Sequence, residues 1–385
     1  MKAWQMAAHI AKAALLAGHL LALTPIAAGA AEQAGAMQQS CWTPAQLAGH
    51  PQERFAQQQR QPLPLPLTAP AAVPSSIVGN VRRVKLPPGK KLIALTFDMC
   101  EAAWEIAGYD GGVIDYLRAN KVKATLFVGG KWMIHHGERA EQLLADPLFE
   151  TGTHGWSHAN LHTMSGQAID DEIFAAVSAY KVARRDLSTL ECTKDSAELE
   201  RIPASPKLFR FPFGTCNPEA LASVARSGQL AIQWDVVTGD PDKHITAQGI
   251  AQAVLTETRP GSIIVAHANG RGAHTAEALP LFIPQLRAKG FEFVTVSELL
   301  AAGTPEIAST CYERRPGDNA RYDVVAARLP KGLRRQGAAP QQPGLVPFTG
   351  GPAAAPQSPA ADQPPAPVLR KPPAQTGGVH EDRWP

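Results

Sequence analysis

Short apolar runs recur along the middle of the chain at residues 92–97, 124–128, 149–153, 208–211, 230–234, 262–266 and 291–296. Runs of this length suit strands buried on both faces. Most are separated by stretches with helical spacing. Within 168–187 the apolar positions Ile169, Ile173, Ala176, Val177 and Tyr180 fall on one helical face, and 245–255 reads the same way. Strand and helix in alternation predict parallel strands joined by crossover helices. Such strands form either an open sheet or a barrel, and seven of them suit a single α/β barrel.

The flanks have another pattern. Residues 1–30 begin with Lys2 and Lys12, continue through Leu15-Leu16 and Leu20-Leu21, and end in Ala27-Ala28-Gly29-Ala30. A basic start, a short apolar stretch and a small-residue ending predict a secretory signal peptide. Gly18, His19 and Pro25 interrupt that stretch, which is already short for a membrane span of roughly 20 residues. No later stretch is apolar enough to cross a bilayer, so the mature chain is expected to be exported without a transmembrane segment. Residues 31–90 are rich in Pro and Gln, with Pro62, Pro64, Pro66, Pro70, Pro74, Pro87 and Pro88 favouring an extended polyproline arm. A C-terminal extension at 303–330 leads into a Pro-rich tail at 331–385. That tail lacks the large apolar residues needed to offset ordering entropy, so it reads as disordered and as a spacer for association with the envelope.

Composition removes whole classes. The chain of 385 residues is 44% hydrophobic and 18% charged, which excludes a collagen-like or wholly disordered protein. A formal charge of +3 gives no footprint for nucleic acid. The cysteines at 41, 100, 192, 216 and 311 form no C-x-x-C pair, which argues against a zinc ribbon or thioredoxin-type site. An exported chain can oxidise them, and their connectivity stays open; Cys41 and Cys311 flank the barrel and are one candidate pair.

Polar residues gather where the predicted strands finish, the end of an α/β barrel that carries chemistry. The first run ends in Asp98-Met99-Cys100-Glu101, and the third in His154-Gly155-Trp156-Ser157-His158. The fourth contains Arg210-Phe211 and continues into Pro212-Phe213, the fifth ends in Trp234 with Asp240 beyond it, and the sixth is followed by His267. The adjacent pair His135-His136 reads as a solvated helix face.

The order T-F-D, H-x-x-x-H, R-x-P-F, W…D and a late apolar-apolar-x-H resembles the NodB-homology polysaccharide deacetylases, carbohydrate esterase family four. The resemblance implies an α/β fold, a distorted (β/α)7 barrel over residues 91–302, that removes N-acetyl groups from a glycan substrate. It implies His154 and His158 as ligands of a divalent metal, zinc by type, and Asp98 as the base that deprotonates water. It further implies Arg210 as the tether of that base, the backbone N–H of Phe213 as oxyanion donor, His267 as general acid and Asp240 as its partner. Met99 stands where the family has a second Asp, the third metal ligand, and a thioether suits such an ion poorly. Glu101, Asp98 itself, or a metal-free site are the alternatives. Val237 and Pro241 depart from the fourth motif and leave the substrate open. Trp156 and Trp234 are candidates to stack on a sugar, with filling of the barrel rim as the other reading of Trp156. Cys100 and Cys216 follow two motifs that the Asp98–Arg210 tether draws together, and are expected to form a disulfide at the site mouth. A different C–N amide hydrolase on the same barrel, or a glycan-binding envelope protein without catalysis, are the competing functions.

Overall fold

A computed structural model describes residues 35–58, 77–194 and 196–328. The expected signal peptide, the middle of the N-terminal arm and the Pro-rich tail lie outside the described residues. Ten strands are used here: β1 (Asn80–Lys85), β2 (Leu92–Met99), β3 (Ala124–Val128), β4 (Phe149–Thr153), β5 (Leu208–Phe209), β6 (Leu230–Ile232), β7 (Val236–Val237), β8 (Ile263–His267), β9 (Glu292–Phe293) and β10 (Thr304–Ala308). Their order across the sheet is β10-β1-β6-β5-β4-β3-β2-β8-β7, with β9 added beside the start of β2. Every ladder is parallel except β10 on β1. The sheet curls until the Val84 N–H of β1 donates to Gly261 O, 3.0 Å away and just ahead of β8. The result is a distorted parallel barrel with helices outside.

Alternation along β2 explains why the strand forms and what it presents. Ile93, Leu95, Phe97 and Met99 pack into the layer beneath helices α1 (Gly111–Ala119) and α7 (Thr275–Ala288). Ala94 points the other way, into the barrel interior with Phe127, Ile232, Trp234 and Val265. Thr96 and Asp98 share that inner face. Fully burying a side chain such as Phe97 contributes about 1.5–3 kcal/mol, so slipping the register by one residue would be strongly opposed. The long helix α4 (Gln167–Thr189) buries Ile169, Ile173, Val177, Tyr180 and Leu187, the face expected from its spacing. These elements are numbered among the helices α1, α2 (Gly130–His135), α3 (Gly137–Ala145), α4, α5 (Pro218–Arg226), α6 (Ala247–Glu257), α7 and α8 (Val296–Ala301).

The seven expected strands correspond to β2, β3, β4, β5, β6, β8 and β9. Strand β1 lies inside the stretch that its prolines marked as an extended arm. Its polar residues are served from far along the chain. Asn80 Nδ2 donates to Ala308 O and Thr310 O at 3.1 and 2.8 Å, and the Arg82 guanidinium stacks on Tyr312, 3.7 Å from the ring centre. The start of the arm also packs on the barrel. Arg54 donates to Gly272 O and Ala273 O at 2.8 and 2.9 Å, and Arg139 holds Glu53 at 2.9 Å.

The disulfides differ from expectation. Cys41 bonds Cys192, Cys216 bonds Cys311, and Cys100 is free and buried. Neither the Cys100–Cys216 nor the Cys41–Cys311 pair forms. Cys100 turns inward at the end of β2, while Cys216 leaves the rim toward the C-terminal segment, where Asn319 also donates to Gly214 O. Peptide mapping of non-reduced protein is therefore expected to find the two observed bridges and one free thiol at Cys100. Replacing Cys216 and Cys311 together by Ala should lower stability by about 2–4 kcal/mol. A bridge containing Cys100 would contradict this arrangement.

Candidate functional site

Asp98 and His267 end neighbouring parallel strands and are register partners across the β2–β8 ladder. Beneath them lies Arg210, wholly buried. Its Nη1 donates to Asp98 Oδ1 at 2.9 Å and to Thr96 Oγ1 at 2.7 Å. Nε and Nη2 reach Ile232 O and Gln233 O at 3.3 and 3.2 Å, and the guanidinium lies 4.0 Å over the Phe127 ring. Burial pulls the Arg210 pKa below its ordinary value, and the Asp98 carboxylate acts against that shift. The guanidinium stays charged and fixes one oxygen of Asp98, leaving Oδ2 facing His154 Nε2 at 3.6 Å.

His154 follows β4, and its Nδ1–H donates to the Arg210 carbonyl at 2.9 Å. That bond fixes the tautomer and turns the Nε2 lone pair toward the site, the usual arrangement of a ligand histidine. His158 has left-handed backbone, φ 54°, and its ring lies 5.2 Å from that of His154 and 4.3 Å from that of Phe213. Burial lowers the pKa of both histidines, most strongly for His158, so both are neutral donors near pH 7. Cys100 Sγ joins them: one donor atom from each of Cys100, His154 and His158 lies within 4.8 Å of the other two. Burial pushes the Cys100 thiol far up, which removes it as an unaided nucleophile.

Asp240, fully buried, is surrounded by donors. His267 Nδ1–H and N–H reach it at 2.9 and 2.7 Å, Thr275 Oγ1 at 2.6 Å and Thr238 Oγ1 at 2.9 Å. Burial raises its pKa, but His267 and these hydrogen bonds outweigh that and hold it below the ordinary carboxylate value. For His267 the order is the same: burial lowers the pKa, and the Asp240 carboxylate more than reverses this, so the net shift is upward. The imidazolium form thus persists above its ordinary range.

Three tentative site residues are placed elsewhere. Glu101 is not in the histidine cluster. Its Oε1 accepts from Ala107 N–H at 3.1 Å, and its carboxylate binds His135 Nδ1 and lies 3.5 Å from His136 Nε2. Regular alternation ends at Met99, so a reading that carried it on to Glu101 aimed the side chain wrongly. The same contacts correct the solvated reading of His135 and His136. Trp156 is buried against Gly130, where an added Cβ would come within 2.6 Å of its ring, so it fills space between β4 and α2 and is not open to a sugar. Trp234 is also buried, 5.4 Å from the Arg210 guanidinium, inside the barrel. Sequence reasoning missed Thr238 and Asn269. Thr275 falls within the stretch that resembles the family, but its contact with Asp240 depends on a loop where Gly272 permits close approach.

Comparisons with known proteins find similarity over the barrel. Residues 85–232 match the family model for polysaccharide deacetylase. A peptidoglycan-N-acetylglucosamine deacetylase from Listeria monocytogenes is 28% identical over 227 residues, 59% of this chain and 42% of that protein. The match therefore spans less than half the length of that relative. A chitooligosaccharide deacetylase from Bradyrhizobium is 27% identical over 49% of this chain and 82% of its own length. A solved family 4 acetyl xylan esterase from Clostridium thermocellum, in complex with a cobalt ion, is 28% identical, covers 55% of this chain and 91% of its own, and superposes with a TM-score of 0.42. The strands, the motif order and the match over residues 85–232 make this part of the chain similar to the polysaccharide deacetylases.

Proposed function

We propose that the protein is an exported, metal-dependent hydrolase that removes N-acetyl groups from a polysaccharide. The observation that carries this reading is the opposed pair on adjacent strands: a carboxylate, Asp98, tied by a buried arginine, and an imidazolium, His267, sustained by a buried carboxylate. An acid and a base held side by side in different protonation states suit amide hydrolysis, in which one proton is taken from water and another given to the leaving amine.

His154 and His158 would hold the ion, zinc by type. When bound, that ion acidifies a water molecule and polarises the acetamide carbonyl. Asp98 Oδ2 accepts the proton of the attacking water, while Arg210 keeps Oδ1 fixed. The backbone N–H of Phe213 is the proposed donor to the oxyanion. His267 then gives its Nε2 proton to the amine as the C–N bond breaks, and Asp240 keeps Nδ1 protonated and the ring oriented. Acetate and a free sugar amine leave.

The named relatives suggest N-acetylglucosamine polymers, peptidoglycan or chitin oligomers, as the substrate class. Two disulfides fit an oxidising compartment outside the cytosol, in keeping with the signal-like N-terminus. Among the described residues no helix is long and apolar enough to cross a membrane. The Pro-rich tail would then serve as a spacer in the envelope.

Asp98→Asn is expected to reduce acetate release from N-acetylated oligosaccharides by about 10²–10⁴-fold while leaving oligosaccharide binding in place. An effect below about tenfold would remove Asp98 as the base.

The rate should also depend on pH through His267. Its acid form is the active one, and its raised pKa preserves that form as pH climbs, so activity falls only when pH passes the raised value. Asp240→Asn removes the charge that raises it. The alkaline limb of the kcat/KM profile should move to lower pH by about one unit, with a lower plateau. A limb that stayed in place or moved upward would contradict the assignment of His267 as acid.

A further inference from the structure

We infer that Cys100 is the third protein ligand of the metal, giving a Cys100–His154–His158 set in place of the carboxylate that Met99 displaces. The inference rests on the hydrolase reading only for the presence of an ion; the choice of ligand comes from the position of the sulfur. Its Sγ belongs to the one group among the described residues in which three metal-binding side chains converge, with all donor atoms within 4.8 Å of one another. A zinc ion at a catalytic centre takes three protein ligands and keeps a fourth position for water or substrate.

The competing donors are committed elsewhere. Met99 points into the helix-side core and is fully buried there. Glu101 is held by His135, His136 and the Ala107 N–H. Asp98 has one oxygen on Arg210 and the other facing His154, where the proposed function uses it as the base. Cys100, by contrast, is the one cysteine outside a disulfide.

A supporting residue is already in place. Asn269, buried beyond the end of β8, donates Nδ2–H to Cys100 O at 2.7 Å and lies 3.6 Å from Cys100 Sγ. It fixes the turn that carries the thiol and offers an N–H to a sulfur that would become negative on metal binding. It plays for Cys100 the part that the Arg210 carbonyl plays for His154. A donor set of one thiolate and two imidazoles is softer than one with a carboxylate. It should select zinc or cobalt and bind magnesium or manganese weakly.

Cobalt(II) reports the ligand directly, because a thiolate bound to it produces a sulfur-to-metal charge-transfer band in the near ultraviolet that nitrogen and oxygen donors do not. The full chain, stripped with chelator and titrated with cobalt(II), is expected to bind one equivalent and develop that band. Cys100→Ser should lose the band and weaken cobalt binding by about tenfold or more. Cys100→Asp should bind cobalt without the band, which separates ligand loss from a folding defect. A one-to-one cobalt complex without the band, a band that survives in Cys100→Ser, or no cobalt binding at all would each overturn the proposal. Acetate release from the same cobalt-loaded samples distinguishes the two readings. Activity without the band leaves the hydrolase standing and removes Cys100, whereas the band without activity on any N-acetylated glycan does the reverse.

Discussion

A guanidinium sealed inside a barrel must have its charge and its donors met by the protein, and the site is built around how Arg210 achieves this. Its partners come from β2 through Thr96 and Asp98, from the end of β6 through two carbonyls, and from β3 through the face of Phe127. Its own carbonyl orients His154. Removing one member of such a buried pair costs about 3–5 kcal/mol, because the partner is left charged and dry. The arginine therefore fixes the relative positions of Asp98 and His154. A second buried centre, Asp240, does the same for His267 across β8. Two buried groups of opposite sign thus hold Asp98 and His267 at paired positions on neighbouring strands.

Strands such as β3 and β8 were legible because they are apolar on both faces, and a run buried on both faces is hard to confuse with loop. Strand β1 was not. Its Asn80, Arg82 and Arg83 look like solvated positions, and become strand residues only because carbonyls near residue 310 and the ring of Tyr312 reach them from more than two hundred positions away. Nothing local in 80–85 records that contact. The N-terminal arm misled for a related reason. Its prolines speak for extended chain, yet Arg54 and Glu53 tie its first part to the barrel by ion pairs that composition does not show.

Among the site residues, Asp98, His154, Arg210 and His267 lie within or directly after an apolar run, whereas His158 and Asp240 stand farther along the loops that follow. Glu101 and Trp156 fail in the turns beyond the runs. Alternation describes a strand, and it stops where the strand stops. Beyond Met99 the chain turns, so Cys100 swings toward the histidines and Glu101 away to His135 and His136. The same turn decides the cysteine pairing. A thiol drawn into the site cannot also reach Cys216, which is left to close on Cys311. Trp156 shows the complementary error, an aromatic next to two functional histidines that is required as filling between a strand and a helix.

The central claim is that this assembly hydrolyses N-acetyl groups with the help of a bound ion. The most direct measurement is acetate release by the full chain from peptidoglycan and chitin oligomers, before chelation, after it, and after zinc is restored. The account predicts release that chelation abolishes and zinc brings back. Release that persists unchanged in the chelated protein, or none from any N-acetylated glycan in the zinc-restored protein, would contradict it.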